Sequence, residues 1–209
     1  EVDNTTEILR FSDQSLTPDQ AIAPNNKSLR GTSSDDLLSG NSGSNYGDDT
    51  IYGGYGNDTI YGYEGIDVLV GESGMDTIYG GDGEDTIEGG TGNDYLIGGK
   101  WGYADKIYGG TGDDLLGGGG GADFLYGEAG ADEIRAGHGK DYLEGGAGAD
   151  ILYGGGGGNT FASEQDGSID NLYVMSDLRG HGHAWGRNHG GVNADVITEL
   201  DSDDRITIL

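Results

Sequence analysis

Aspartate holds the same place in 13 of 14 successive units of about nine residues between residues 31 and 162. The unit is plain in GGYGNDTIY at residues 53–61, where aspartate is sixth, and it repeats without interruption to residue 97. A longer unit, GGKWGYADKIY, follows, and the period then resumes and runs to residue 153. A degenerate unit, GTSSDDLLS, and an expanded one precede the run, and GGGGGNTFA closes it. The sixth-place residues are Asp36, Asp49, Asp58, Asp67, Asp76, Asp85, Asp94, Asp105, Asp114, Asp123, Asp132, Asp141 and Asp150, with Asn159 in the last unit. Carboxylates are oxygen donors for hard cations, and no Lys, Arg or His lies between residues 31 and 99 to neutralise them. The 209-residue chain carries a formal charge of −28, holds 46 glycines and is only 33% hydrophobic. That composition buries too little apolar surface to offset the entropy of ordering, and a compact form would repel itself. A cation must be part of any fold this chain adopts. Nucleic acid and anionic membrane are excluded as partners, because both require a basic patch.

Other chemistry is sparse. There is no cysteine, hence neither a disulfide framework nor a thiolate metal site; this suits an extracellular bacterial protein. No HExxH or GxSxG is present, so the expectation is a protein that is not an enzyme. GHGHAWGRNHGG places His181, His183 and His189 beside Trp185. A Zn²⁺ or Cu²⁺ site is one reading, but a polar, glycine-rich hairpin is the plainer one and is preferred. No apolar run approaches the roughly 20 residues that span a bilayer. A chain that begins at Glu1 without methionine is read as a processed or excised form, its N-terminal targeting signal already gone.

The elements that position the aspartates follow from the rest of the unit. An aliphatic residue fills the eighth place, from Leu38, Ile51 and Ile60 to Leu143 and Leu152, with Phe161 last. Side chains alternate along a strand, so a three-residue strand centred on this place points one side chain inward. Stacked strands then build a thin continuous core. Glycines at the first, second and fourth places permit the positive φ of a tight turn. A helix is excluded by the glycine density, at about 1 kcal/mol per site relative to alanine. Collagen is excluded by the wrong glycine period and only two prolines. A flexible linker would have no need of an aliphatic residue held in step through every unit.

The unit G-G-x-G-x-D-x-U-x resembles the RTX (repeats-in-toxin) calcium-binding repeat. The resemblance implies an all-β, right-handed parallel β-roll in which two units make one coil, with successive turns on opposite edges. The aspartates then fall into two columns. One holds Asp36, Asp58, Asp76, Asp94, Asp114, Asp132 and Asp150; the other holds Asp49, Asp67, Asp85, Asp105, Asp123 and Asp141 and closes on Asn159. Neighbours in a column would lie one strand spacing apart, roughly 4.8 Å, too close to stay ionised without a cation. Calcium suits the gap, since magnesium keeps its water and zinc and copper favour nitrogen or sulfur. The family's arrangement implies main-chain carbonyl ligands from glycines of the turns. In one column these are Gly53, Gly54, Gly56, Gly71, Gly74, Gly89, Gly90, Gly92, Gly109, Gly110, Gly112, Gly127, Gly130, Gly145, Gly146 and Gly148. In the other they are Gly62, Gly65, Gly80, Gly81, Gly83, Gly118, Gly119, Gly121, Gly137 and Gly139. Together they imply on the order of ten Ca²⁺ ions, with folding and binding one event. Extra residues around Ser44–Tyr46 and Lys100–Tyr103 should bulge and disturb the sites at Asp49 and Asp105, and Asn159 should end the ladder.

Three segments are expected: an N-terminal cap or linker over residues 1–30, the roll over 31–162, and a capping segment over 163–209 that carries a type I secretion signal. Residues 7–11 read as a strand, and Thr17-Pro18 as the start of a short helix. Residues 194–209 resemble the aliphatic close of RTX chains and should seal the last strand. Ninth-place Tyr52, Tyr61, Tyr79, Tyr108, Tyr126 and Tyr153 should face outward, as a contact surface for self-association, a surface glycan or a protein. Ice binding is rejected, because only Thr91 with Asn93 has the required pattern. The reading is a secreted, calcium-dependent structural or adhesive protein; the alternative is the secretion and folding module of a larger RTX enzyme or toxin.

Overall fold

The computed structural model describes residues 8–10, 26, 28–42, 47–162, 168, 170–174, 196–198 and 205–209. In chain order the strands are β1 (Ile8–Arg10), β2 (Ser28–Arg30), β3 (Leu37–Ser39), β4 (Thr50–Tyr55), β5 (Thr59–Glu64), β6 (Val68–Ser73) and β7 (Thr77–Asp82). They continue as β8 (Thr86–Thr91), β9 (Tyr95–Gly99), β10 (Lys106–Thr111), β11 (Leu115–Gly120), β12 (Phe124–Ala129) and β13 (Glu133–His138). The last are β14 (Tyr142–Ala147), β15 (Ile151–Tyr153), β16 (Thr160–Ala162), β17 (Asn171–Val174), β18 (Val196–Thr198) and β19 (Arg205–Ile208). A ten-stranded sheet collects β1 and the even-numbered strands, and a nine-stranded sheet the other odd-numbered ones. Every pairing between named strands is parallel and joins elements one coil apart. The chain therefore winds as a two-sheet parallel β-roll, because each unit can bury its single aliphatic residue only against the units above and below it.

The core is a file of eighth-place side chains. Ile51, Ile60, Leu69, Ile78, Ile87, Leu96, Ile107, Leu116, Leu125, Ile134, Leu143, Leu152 and Phe161 are all fully buried. Strands in the middle of the roll run to six residues, not the three expected. The glycine-rich places also join the ladder, as where Gly54 pairs with Glu72 and Tyr55 with Ser73. Tyrosines of the ninth place stand half-buried on the outer faces and stack along the roll, Tyr61 on Tyr79 at 5.1 Å and Tyr108 on Tyr126 at 5.0 Å between ring centres.

The stack runs past the glycine repeats at both ends. Leu29 joins the core on one side and Leu172 on the other. Both C-terminal strands join the sheets in register, Ile197 opposite Phe161 and Ile206 opposite Leu172, so this segment pairs the edge of the last repeat strand and continues the stack. The strand read over residues 7–11 is found as β1. The helix from Pro18, the bulge at Ser44–Tyr46 and the segment of His181, His183, Trp185 and His189 lie outside the described residues.

Candidate metal centre

Strand pairing brings the aspartates into the two columns expected, one along each edge of the roll. In the first, the backbone N–H of each residue donates to Oδ1 of the aspartate one coil on. The bonds run from Asp36 to Asp58 at 2.8 Å, Asp58 to Asp76 at 2.7 Å, Asp76 to Asp94 at 2.8 Å and Asp94 to Asp114 at 2.7 Å. The second repeats this through Asp49, Asp67, Asp85, Asp105, Asp123 and Asp141. A second ladder runs the opposite way at the fifth place, where Asp35 Oδ1 accepts from Asn57 N–H at 2.8 Å and Asn57 Oδ1 from Met75 N–H at 2.8 Å. Turns that follow a fifth-place Asp or Asn, such as those at Asn57 and Met75, are thus clamped from both neighbours, a role that sequence reasoning did not single out.

Oδ1 is spoken for, and Oδ2 is what remains for chemistry. The Oδ2 atoms of Asp58, Asp67, Asp76, Asp85, Asp94, Asp105, Asp114, Asp123 and Asp132 are buried and accept no hydrogen bond. Each faces the first-place glycine of its own unit and a first-place carbonyl of the next coil. A methyl group on Gly109 would lie 2.6 Å from Asp114 Oδ2 and 2.7 Å from the Gly127 carbonyl oxygen. A charged carboxylate oxygen buried beside a main-chain carbonyl with no donor of its own is unfavourable unless a cation partners it. No three metal-ligating side chains cluster among the described residues, so most of the ligands must be main-chain carbonyls. An all-oxygen cradle of one carboxylate and several carbonyls fits calcium. Placing backbone so close to backbone requires glycine. At Gly74, with φ of 140°, an added Cβ would run into the Gly56 carbonyl.

The ends of the columns differ from their middles. Asp36 Oδ2 accepts from Thr32 N–H at 2.6 Å and from Thr32 Oγ1 at 2.9 Å, and Asp49 Oδ2 accepts from Asn41 N–H at 2.7 Å. The Asp49 site was expected to be disturbed, and Asp36 begins its column in a degenerate unit. At these two places the N–H of the second residue of the unit reaches the carboxylate, and local donors take the role a cation has further along. Asn159 Oδ1 still accepts from Asp141 N–H at 3.0 Å, keeping the ladder while removing the charge. The insertion at Lys100–Tyr103 leaves the aspartate ladder in place. Asp105 keeps both ladder bonds at 2.9 Å, because the extra residues loop outward with Trp101 63% exposed. One column also extends further than the repeats suggested, since Asp170 is buried and its Oδ1 accepts from Asp150 N–H at 2.9 Å. The D-x-L spacing of Asp170 and Leu172 was the available signal, hidden by the absence of the glycine turn.

Burial, followed by neighbouring carboxylates, raises these acids well above the usual carboxylate range. Asp58, Asp76, Asp85 and Asp132 rise to about 6, the first two pushed further by the next aspartates in their column. Asp67 and Asp114 rise to about 7 and Asp105 to about 8. A carboxyl with a raised folded pKa stabilises the metal-free roll fully only below its unfolded pKa, and that contribution is lost as pH rises through the folded value. The unfolded carboxylates, at their ordinary value of 3.8, are already ionised near neutrality, so acid should restore part of the β-structure in chelator. Circular dichroism in EDTA at a series of pH values checks this; a β signal that does not grow as the pH falls from 8 to 5 would contradict it.

A family model described as the RTX calcium-binding nonapeptide repeat (4 copies) matches residues 28–46, 44–69, 70–100, 102–134 and 126–161, well over half of the chain. No curated protein matches the chain.

Proposed function

The chain belongs to the RTX calcium-binding nonapeptide-repeat family, and from that premise we propose that it is an extracellular, non-catalytic protein whose folding is switched on by calcium after secretion, with a structural or adhesive role at the cell surface or matrix. The observation that carries this reading is the row of buried Oδ2 atoms without hydrogen-bond donors. A chain that cannot close over its own carboxylates stays unfolded where calcium is scarce and folds where it is abundant. Extracellular calcium modules bind at about 10⁻⁴–10⁻³ M, and a folding midpoint in that range is the expected result. A midpoint at or below about 10⁻⁷ M, the range of the tighter calcium sensors and buffers, would have the chain folded before export and would sink the proposal.

A second reading is a calcium-dependent folding and secretion module of a larger enzyme or toxin. It is favoured by β19, an edge strand whose Ile206 and Ile208 are 44% and 64% exposed, an apolar edge that a further segment could cover. A catalytic domain in the same reading frame would decide for it.

A further inference from the structure

The outer face of the ten-stranded sheet presents one three-residue arrangement twice, with a single member changed. In the first copy Arg30 of β2, Tyr52 of β4 and Glu72 of β6 lie on successive strands. The Arg30 guanidinium carbon lies 5.3 Å from the centre of the Tyr52 ring. Its Nη2 donates to both carboxylate oxygens of Glu72, at 2.7 Å each. The strand between them carries Gly54 at the place paired with Glu72, leaving the way clear. Glu72 takes φ of 75°, a left-handed conformation that an L-residue adopts only at some cost. Gly54, Gly90, Gly110 and Gly146 hold the same place on other strands of this sheet.

Three coils further on, the same places of β8, β10 and β12 hold Glu88, Tyr108 and Glu128. Glu88 pairs with Tyr108 as Arg30 pairs with Tyr52, and Gly110 pairs with Glu128 as Gly54 pairs with Glu72. Glu128 takes φ of 73°, the same left-handed conformation that lets Glu72 reach Arg30. What differs is the cation, replaced by a further carboxylate. Tyr126 stacks on Tyr108 from the β12 side, with planes 7° apart. The β8 side of the ring corresponds to the side that Arg30 covers on Tyr52. No cation of the described residues pairs with Glu88 or Glu128 or lies over Tyr108. Lys106, two residues away on β10, is exposed and enters no ion pair among them.

We propose that Glu88, Tyr108 and Glu128 form a receiving site for the guanidinium of an arginine on a partner polypeptide. A planar guanidinium can stack on the ring while its donors meet a carboxylate in the ring's plane, whereas an ammonium is a compact point charge that does one or the other. The chain's own Arg30 shows that this sheet holds such a group, and the formal charge of −28 favours a basic partner.

The test uses the calcium-loaded full chain, titrated with Ac-Gly-Arg-Gly-NH₂ and its lysine and citrulline counterparts while backbone amide resonances are followed. The expected result is saturable shifts confined to β8, β10 and β12, with the lysine peptide at least about tenfold weaker and the citrulline peptide silent. Two variants keep the fold out of the question. Glu128→Gly installs the residue that most coils carry at this place and should abolish binding while the calcium-loaded chain keeps its β-structure. Glu88→Arg should rebuild the first copy internally and so close the site. Shifts spread over the whole face, equal responses to lysine and arginine, or binding that survives either variant would reveal general attraction to an acidic surface and overturn the proposal. So would an absence of binding.

Discussion

Chelation of calcium should convert nearly all of the parallel β-structure to disordered chain, and restoring millimolar calcium should bring it back. Nine aspartates from Asp58 to Asp132 hold an Oδ2 atom that is buried and accepts no hydrogen bond. A carboxylate left charged and buried without a partner costs on the order of several kcal/mol. A whole domain is stable by only about 5–15 kcal/mol, so two or three such groups outweigh it. The core cannot make up the difference, since it is one aliphatic residue per unit. Neutralisation by protons is the other escape and is incomplete near neutrality, where Asp58, Asp76, Asp85 and Asp132 titrate at about 6. Far-UV circular dichroism in EDTA at pH 8 measures the effect. Retention of the β signal there would mean that something other than calcium holds the roll together.

Asp94→Ala should raise the calcium midpoint about tenfold, and Asp36→Ala should change it by less than about twofold. Asp94 lies mid-column. Its Oδ1 accepts from Asp76 N–H at 2.8 Å, and its Oδ2 is buried with no donor in reach. Alanine there orphans a buried N–H, worth about 1–3 kcal/mol, and removes a carboxylate from the stack. Asp36 begins its column, and Thr32 already occupies its Oδ2. Its backbone N–H, which donates to Asp58, survives substitution. Asp94→Asn separates the two contributions, because asparagine keeps the Oδ1 acceptor, as Asn159 does for Asp141 N–H, and drops only the charge. An asparagine variant as impaired as the alanine one would assign the loss to charge. Equal midpoints for Asp94→Ala and Asp36→Ala would argue against a shared stack.

Much of the roll is legible in the residues alone, because a solenoid repeats its physics at the period of its sequence. Aspartate at the sixth place, an aliphatic at the eighth and glycine between them are separate requirements of a turn, a core and a close backbone approach. Once two units are taken as a coil, the columns through Asp58 and Asp67 follow by counting. Counting says which residues meet, not which donor finds which acceptor. The division of the carboxylates from Asp58 to Asp132 into a hydrogen-bonded Oδ1 and a buried, donor-free Oδ2 arises from the offset between coils. The capture of Asp36 by Thr32 and of Asp49 by Asn41 has the same origin. Asp105 keeps its register although its own unit is longer, because extra residues at an edge can loop outward while strands on both sides hold the ladder. Asp170, Leu172 and Leu29 escaped the repeat pattern because they lack its glycines. They belong to the stack nonetheless, since a strand needs only an inward aliphatic residue and a neighbour one coil away to pair with.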